Sequence, residues 1–141
     1  QEQQTSGTNG GTFTSGAWQT RVLNTEVSDA NSIVTIGSNQ FTPIAGTYLV
    51  KARAFAYAVN SHQTRLQNVT AATTTLTGSS AYAQSAGAGN DSVIDGTFTA
   101  NGTDAYEVQH QCQTTTTTNG FGVAGSFGTE VYTSVVLTKI A

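Results

Sequence analysis

Methionine is absent from this chain of 141 residues, and cysteine, proline and tryptophan each occur once. Charged residues make up only 9% of it. Each shortage excludes something. A lone cysteine, Cys112, allows no intrachain disulfide, so the fold is not a disulfide-held scaffold, and the ordinary place for such a residue is a buried apolar site. The five basic residues, Arg21, Lys51, Arg53, Arg65 and Lys139, are scattered. They form no stripe to neutralise phosphates, which argues against a nucleic-acid partner. No apolar run is long enough for membrane insertion, and Gln1-Glu2-Gln3-Gln4 has neither the basic nor the apolar region of a signal peptide. The missing initiator methionine marks a processed product or a piece of something longer.

What is present is neutral and polar, led by 26 threonines and 15 glycines. No window holds a helical period, and strand is the default throughout. The length suits one domain. Residues 1–16 are Gly, Thr, Ser, Asn and Gln around Phe13 and read as a flexible leader; residues 17–141 read as the folded domain. Ala17 to Asn24, Ser32 to Ile36 and Gln40 to Thr42 are short strands, the last stopped by Pro43. Tyr48 to Val59 is the longest. One face of it is Tyr48, Val50, Ala52, Ala54, Ala56 and Ala58, small enough to pack closely on another layer. The spacing predicts a hairpin at Asn60-Ser61 into His62 to Thr70, two strands around Gly78, and a hairpin at Asn101-Gly102. Asp104 to Thr114 places Tyr106, Val108, His110 and Cys112 on one face. Thr114 to Gly128 is a polar, glycine-rich stretch with Phe121 and Phe127 as anchors, and Glu130 to Ile140 closes the fold. About eight to ten strands at this spacing predict an all-β, two-sheet jelly-roll sandwich. Sequential hairpins alone would also allow an up-and-down barrel.

Catalysis needs titratable groups brought together, and the supply is thin. His62 and His110 have no ligand-spaced neighbour, so no metal site is expected. Asp91 and Asp95 lack the glycine-punctuated acidic loop of a calcium site. No Gly-x-Ser-x-Gly elbow occurs. Asp95 and Glu107 are a conceivable carboxylate pair, but surface or interface charge is the commoner explanation. The expectation is therefore no enzyme, no metal and no cofactor. The mid-strand basic residues are expected to face water or a neighbouring subunit. The sharper expectation is that His62 and Arg65 line a polar groove for glycan or a neighbouring subunit.

The sequence carries two resemblances. Phe41-Thr42-Pro43-Ile44-Ala45-Gly46-Thr47-Tyr48-Leu49-Val50 resembles a strand-turn-strand of the trimeric jelly rolls of complement heads and tumour-necrosis-factor-like proteins. Gly10 to Thr25, with His62 to Thr70, Val108 to Cys112 and Glu130 to Thr133, is similar to a domain at the C-terminal ends of many tailed-bacteriophage virion proteins, and this likeness runs from about Thr8 to the end. The resemblance implies a homotrimeric jelly roll in the virion, at the tip of a fibre or spike, with no catalytic residue. Its implied partners are copies of itself, other virion proteins through the N-terminal segment, and host cell-surface glycan. The alternatives are a capsid decoration or head-fibre protein, or a free carbohydrate-binding lectin. Phe55, Tyr57, Tyr106 and Tyr132 are the candidates for the trimer axis, with filling of the monomer core as the competing role.

Overall fold

The computed structural model describes residues 1–141. Alternating burial produces ten strands: β1 (Glu2–Gln4), β2 (Gln19–Thr20), β3 (Val34–Gly37), β4 (Gln40–Pro43), β5 (Gly46–Tyr57), β6 (Asn60–Asn68), β7 (Thr73–Ala83), β8 (Gly89–Ala100), β9 (Tyr106–Cys112) and β10 (Glu130–Lys139). They form two antiparallel sheets packed as a sandwich. Sheet I has the order β1-β10-β5-β8, and sheet II the order β3-β4-β9-β6-β7, with β2 also on β9. The small face of β5 is buried from Tyr48 to Ala58, as its composition predicts. It packs with Ile94 and Phe98 of β8 against Leu66, Val108, Phe41 and Tyr106 of sheet II. Pro43 ends β4, where its missing N–H costs no ladder bond within a longer strand.

Connectivity separates this sandwich from an up-and-down barrel. Only β3–β4 and β6–β7 are hairpins between consecutive strands; β4 to β5, β5 to β6, β7 to β8, β8 to β9 and β9 to β10 all cross between sheets. That is consistent with a jelly roll. The hairpins expected at Asn60-Ser61 and Asn101-Gly102 are therefore corrected. The chain does reverse at both places. Ala58 and Asn60 take positive φ values of 56° and 59°. Asn101 Oδ1 accepts the N–H groups of Thr103 and Asp104. Turn chemistry decides where a chain reverses, not which strand it then joins. β8 and β10 occupy both edges of β5, so β6 must lie in the other sheet.

Three further expectations change. Thr73 to Ala83 is one strand, not two. Gly78 is no turn: a Cβ there would collide with Thr64 Oγ1, so glycine permits close approach of β6 and β7. Residues 1–16 are not a flexible leader. β1 pairs with β10, Phe13 is fully buried and exchanges N–H···O=C bonds with Thr116, and Glu2 lies in the interior. One aromatic and one paired charge hold a segment whose mean polarity suggested disorder. Phe121 stacks on Phe13 at 4.3 Å, whereas Phe127 is fully exposed and anchors nothing.

The two sides of the sandwich are closed differently. Between β7 and β8, Ser92 Oγ donates to the Ser79 carbonyl (2.6 Å), Val93 N–H donates to Ser79 Oγ (2.9 Å), and Asn90 Nδ2 donates to the Tyr82 carbonyl (3.1 Å). The opposite side, between β10 and β3, has no such seam. There β1 flanks β10 only over residues 130–133, and no strand of the chain flanks it on that side beyond them.

Candidate functional site

The predicted groove of His62 and Arg65 does not form. Alternation along β6 sends His62 into the interior and Arg65 to the outer face of sheet II. Each belongs to a different polar cluster.

The interior cluster pairs the two histidines. β6 and β9 are neighbours with Thr64 opposite His110 and His62 opposite Cys112. His62 Nδ1 and His110 Nε2 lie 2.9 Å apart, and His62 Nε2 is 2.8 Å from Asn90 Oδ1. The Asn90 amide nitrogen donates to Tyr82, so its oxygen accepts from His62 Nε2. His62 Nδ1 then accepts from His110 Nε2. This leaves the lone pair of His110 Nδ1, the one buried side-chain N or O atom without a partner. Burial first, then Arg21 and His62, push the His110 pKa down to about 2. Burial also lowers that of His62, against the Asn90 hydrogen bond. Both rings are neutral near pH 7. Cys112 beside them is buried, as predicted, and its pKa is raised to about 11 by that burial. It is a packed thiol, not a nucleophile.

Arg21, expected to face water or a subunit contact, is 1% exposed. Its guanidinium meets Glu2 Oε2 at 3.0 Å, Thr133 Oγ1 at 2.9 Å, and the carbonyls of Phe55 and Phe121. Thr133 Oγ1 also donates to Glu2 Oε2 at 2.8 Å. Glu2 supplies the counter-charge from the segment read as leader, so the pairing was hidden in the sequence. No group of three or more His, Cys, Asp or Glu is placed to hold a metal ion. Asp95 and Glu107 lie on different sheets and do not meet as a carboxylate pair.

The outer faces carry the accessible chemistry. On sheet II the Arg65 guanidinium stacks over Trp18 at 4.3 Å, and its Nε donates to Gln109 Oε1 at 2.7 Å. Glu107 accepts from Thr20, Gln40 and Gln109. Trp18 sits here because β2 lies against β9, with Thr20 opposite Gln109. The result is a fixed platform of one indole, one guanidinium and planar amides. On sheet I the register aligns Lys51 with Asp95 and with Val136, and Phe55 with Asp91. Arg53 pairs with Asp91 at 3.3 Å. Leu49, Phe55, Tyr57, Val93 and Val136 share this face, with Val136 59% exposed. The Phe55 ring lies over Gly89, where a Cβ would strike it.

Of the four axis candidates, Phe55 and Tyr57 are on this half-exposed face. Tyr106 and Tyr132 are buried within the single chain, Tyr106 in the inter-sheet core and Tyr132 with its hydroxyl donating to the Thr8 carbonyl at 2.8 Å. They do the competing job of filling the interior. Neither protein-family models nor curated proteins give a match to this chain.

Proposed function

We propose that the chain is a non-enzymatic structural module of a bacteriophage virion, working as a trimeric fibre tip or receptor-binding domain. The observation that carries this reading is the outer face of β10-β5-β8. Half-exposed Leu49, Phe55 and Tyr57 and exposed Val93 and Val136 lie there among the opposed charges of Lys51, Arg53, Asp91 and Asp95. An apolar centre with charges of both signs suits contact with further copies of the same chain around a three-fold axis. The jelly-roll-like connectivity and the chain-wide resemblance to phage virion domains support the same reading. Sedimentation equilibrium tests it. The expected mass is about 44 kDa, three times the 14.6 kDa chain, falling to one chain in Val136→Asp. A single-chain mass at every concentration overturns the trimer.

The Trp18–Arg65 platform favours a second reading, carbohydrate binding. A half-exposed indole beside fixed amide and guanidinium groups offers both an apolar surface and directed hydrogen bonds to sugar hydroxyls. Glycan-array binding that is lost in Trp18→Ala supports it; a blank array with the wild-type protein removes it. Imaging of labelled particles separates a tail-fibre position from capsid decoration or a head fibre.

A further inference from the structure

Arg65 has no carboxylate partner. Among the three arginines, Arg21 pairs with Glu2 and Arg53 with Asp91, while Arg65 forms no ion pair. Its guanidinium is nevertheless held. It stacks over Trp18, its Nε donates to Gln109 Oε1, and its Nη1 donates to Thr74 Oγ1 at 3.2 Å. Nη2 donates to nothing in the chain, so two N–H groups of a fixed cation are unspent on an open sheet face. Glu107 is the one charged group that acts on Arg65, opposing the lowering of its pKa by burial. The Glu107 oxygens are already taken. Oε1 accepts from Thr20 and Gln109, Oε2 accepts from Gln40, and the residue is 6% exposed. Gln109 stands between the two charges, accepting from Arg65 and donating to Glu107. The carboxylate is covered, while the half-buried guanidinium keeps an open edge. Neutral groups beside it are also unspent. Gln63 and Gln111 face each other across β6 and β9. The Gln63 amide nitrogen donates to Gly78 and Ser80, which leaves its oxygen free, and the Gln111 amide has no partner at either end. Trp18, just before β2, is half-buried and adds an apolar surface.

We infer that this face takes an acidic sugar, whose carboxylate caps the open edge of Arg65 while its hydroxyls meet Gln63 and Gln111 and its ring lies against Trp18. The inference rests on the carbohydrate reading of the platform and names the class of sugar. Three features select it. A fixed guanidinium with spare N–H groups matches one carboxylate in charge and in shape. Arg65 is the only Lys or Arg in the strands of sheet II, so a polyphosphate or nucleic acid finds no partner for its further charges. The backbone N–H and C=O groups of β6 and β9 are engaged in their own ladder, so an acidic peptide cannot add a strand here. A sugar acid needs side chains alone: a cation for its carboxylate, amides for its hydroxyls and an indole for the apolar side of its ring. The face belongs to the other sheet from the surface proposed for trimer contact, so the trimer leaves it open.

Trp18 is the only tryptophan, so its fluorescence reports on this site. The whole chain is titrated with trigalacturonate and with N-acetylneuraminyl-lactose, each beside its neutral methyl ester, and with acetate as a carboxylate without a ring. At least one acid is expected to give a saturable change and to bind about tenfold or more tightly than its ester. Acetate is expected to give none. Arg65→Gln is expected to weaken that acid about tenfold or more, and Arg65→Lys about threefold or more, with thermal midpoints showing that both variants fold. The comparison of acid with ester needs no variant. The inference fails if neither acid binds, if acetate binds as well as the acids, or if folded Arg65→Gln binds the acid as the wild type does. It fails too if the esters bind as tightly as the acids; the carbohydrate reading of the platform then stands and only the charge is wrong. Silence of every probe together with a blank glycan array removes both.

Discussion

His62 Nδ1 and His110 Nε2 share one hydrogen bond of 2.9 Å inside the sandwich, although 48 residues separate them in the chain. The bond cannot survive protonation of both rings, and burial with Arg21 close by opposes adding a proton to either. Both folded pKa values are depressed below the 6.5 of a free histidine. The unfolded chain therefore binds protons first as pH falls, and stability drops from about pH 6.5 downward. His110, with its folded pKa at about 2, contributes a slope approaching about 1.4 kcal/mol per pH unit once its unfolded form is protonated, and His62 adds to the loss in the same direction. Below about pH 4.5 the carboxylates of Asp29, Asp104 and Glu130, which hydrogen bonds hold below their usual range, add to the loss. Urea midpoints between pH 8 and 5 are expected to fall with acid, and His110→Gln is expected to reduce that slope. Midpoints independent of pH across this window would refute the neutral pair.

The Arg21–Glu2 pair is dry on both sides, with side-chain exposures of 1% and 2%. Removing one partner leaves an uncompensated buried charge. Glu2→Ala is expected to destabilise the fold by about 3–5 kcal/mol. The double replacement Glu2→Leu with Arg21→Met is expected to cost much less than the two single changes summed. Chemical denaturation of the four proteins measures both numbers.

Phe121 and Phe127 look alike in sequence and differ in the fold. Phe121 stacks on Phe13 and lies under the Arg21 guanidinium at 4.2 Å; Phe127 points fully into water. Phe121→Ala, at a partly buried ring, is expected to cost about 1–3 kcal/mol. Phe127→Ser is expected to stay within about 0.5 kcal/mol of wild type. Thermal midpoints of the two variants separate the roles, and equal shifts would contradict the packing.

Gly78 sits at a register shift between β6 and β7, with Thr64 Oγ1 in the space a side chain would need. Gly78→Ala is expected to destabilise by about 1–3 kcal/mol through overpacking. Adding Thr64→Ala should return part of that loss. If the glycine instead marked a turn between two strands, the second change would return nothing.

Local alternation carried much of the fold. Tyr48 to Ala58 and Tyr106 to Cys112 show their inner faces in the sequence because each is a strand with one buried side. Partnership between strands was not legible. Asn60 and Asn101-Gly102 announce reversals, but occupation of both edges of β5 by β8 and β10 is a long-range fact. The polar clusters were hidden for the same reason. His62 meets His110, and Glu2 meets Arg21, only through pairings of distant segments, and a charged residue in a polar leader gives no local sign of burial. Of the residues proposed for function, Phe55 and Tyr57 are on an accessible face because they alternate with the buried alanines of β5. Tyr106 fell on a buried alternation that the sequence did display.

The three-residue β1 also has a mechanical meaning. A pull on the N-terminal end of the chain meets Gln1 first, held by Asn24 and Thr25, and then reaches sheet I through Glu2, Gln3 and Gln4. Backbone pairing there is short, so the load passes to the Glu2 carboxylate, through Arg21 and Thr133, and into β10, which pairs with β5 from Thr133 onward. Arg21 is thus the coupling through which tension on the end of the chain is spread across sheet I before β1 peels away.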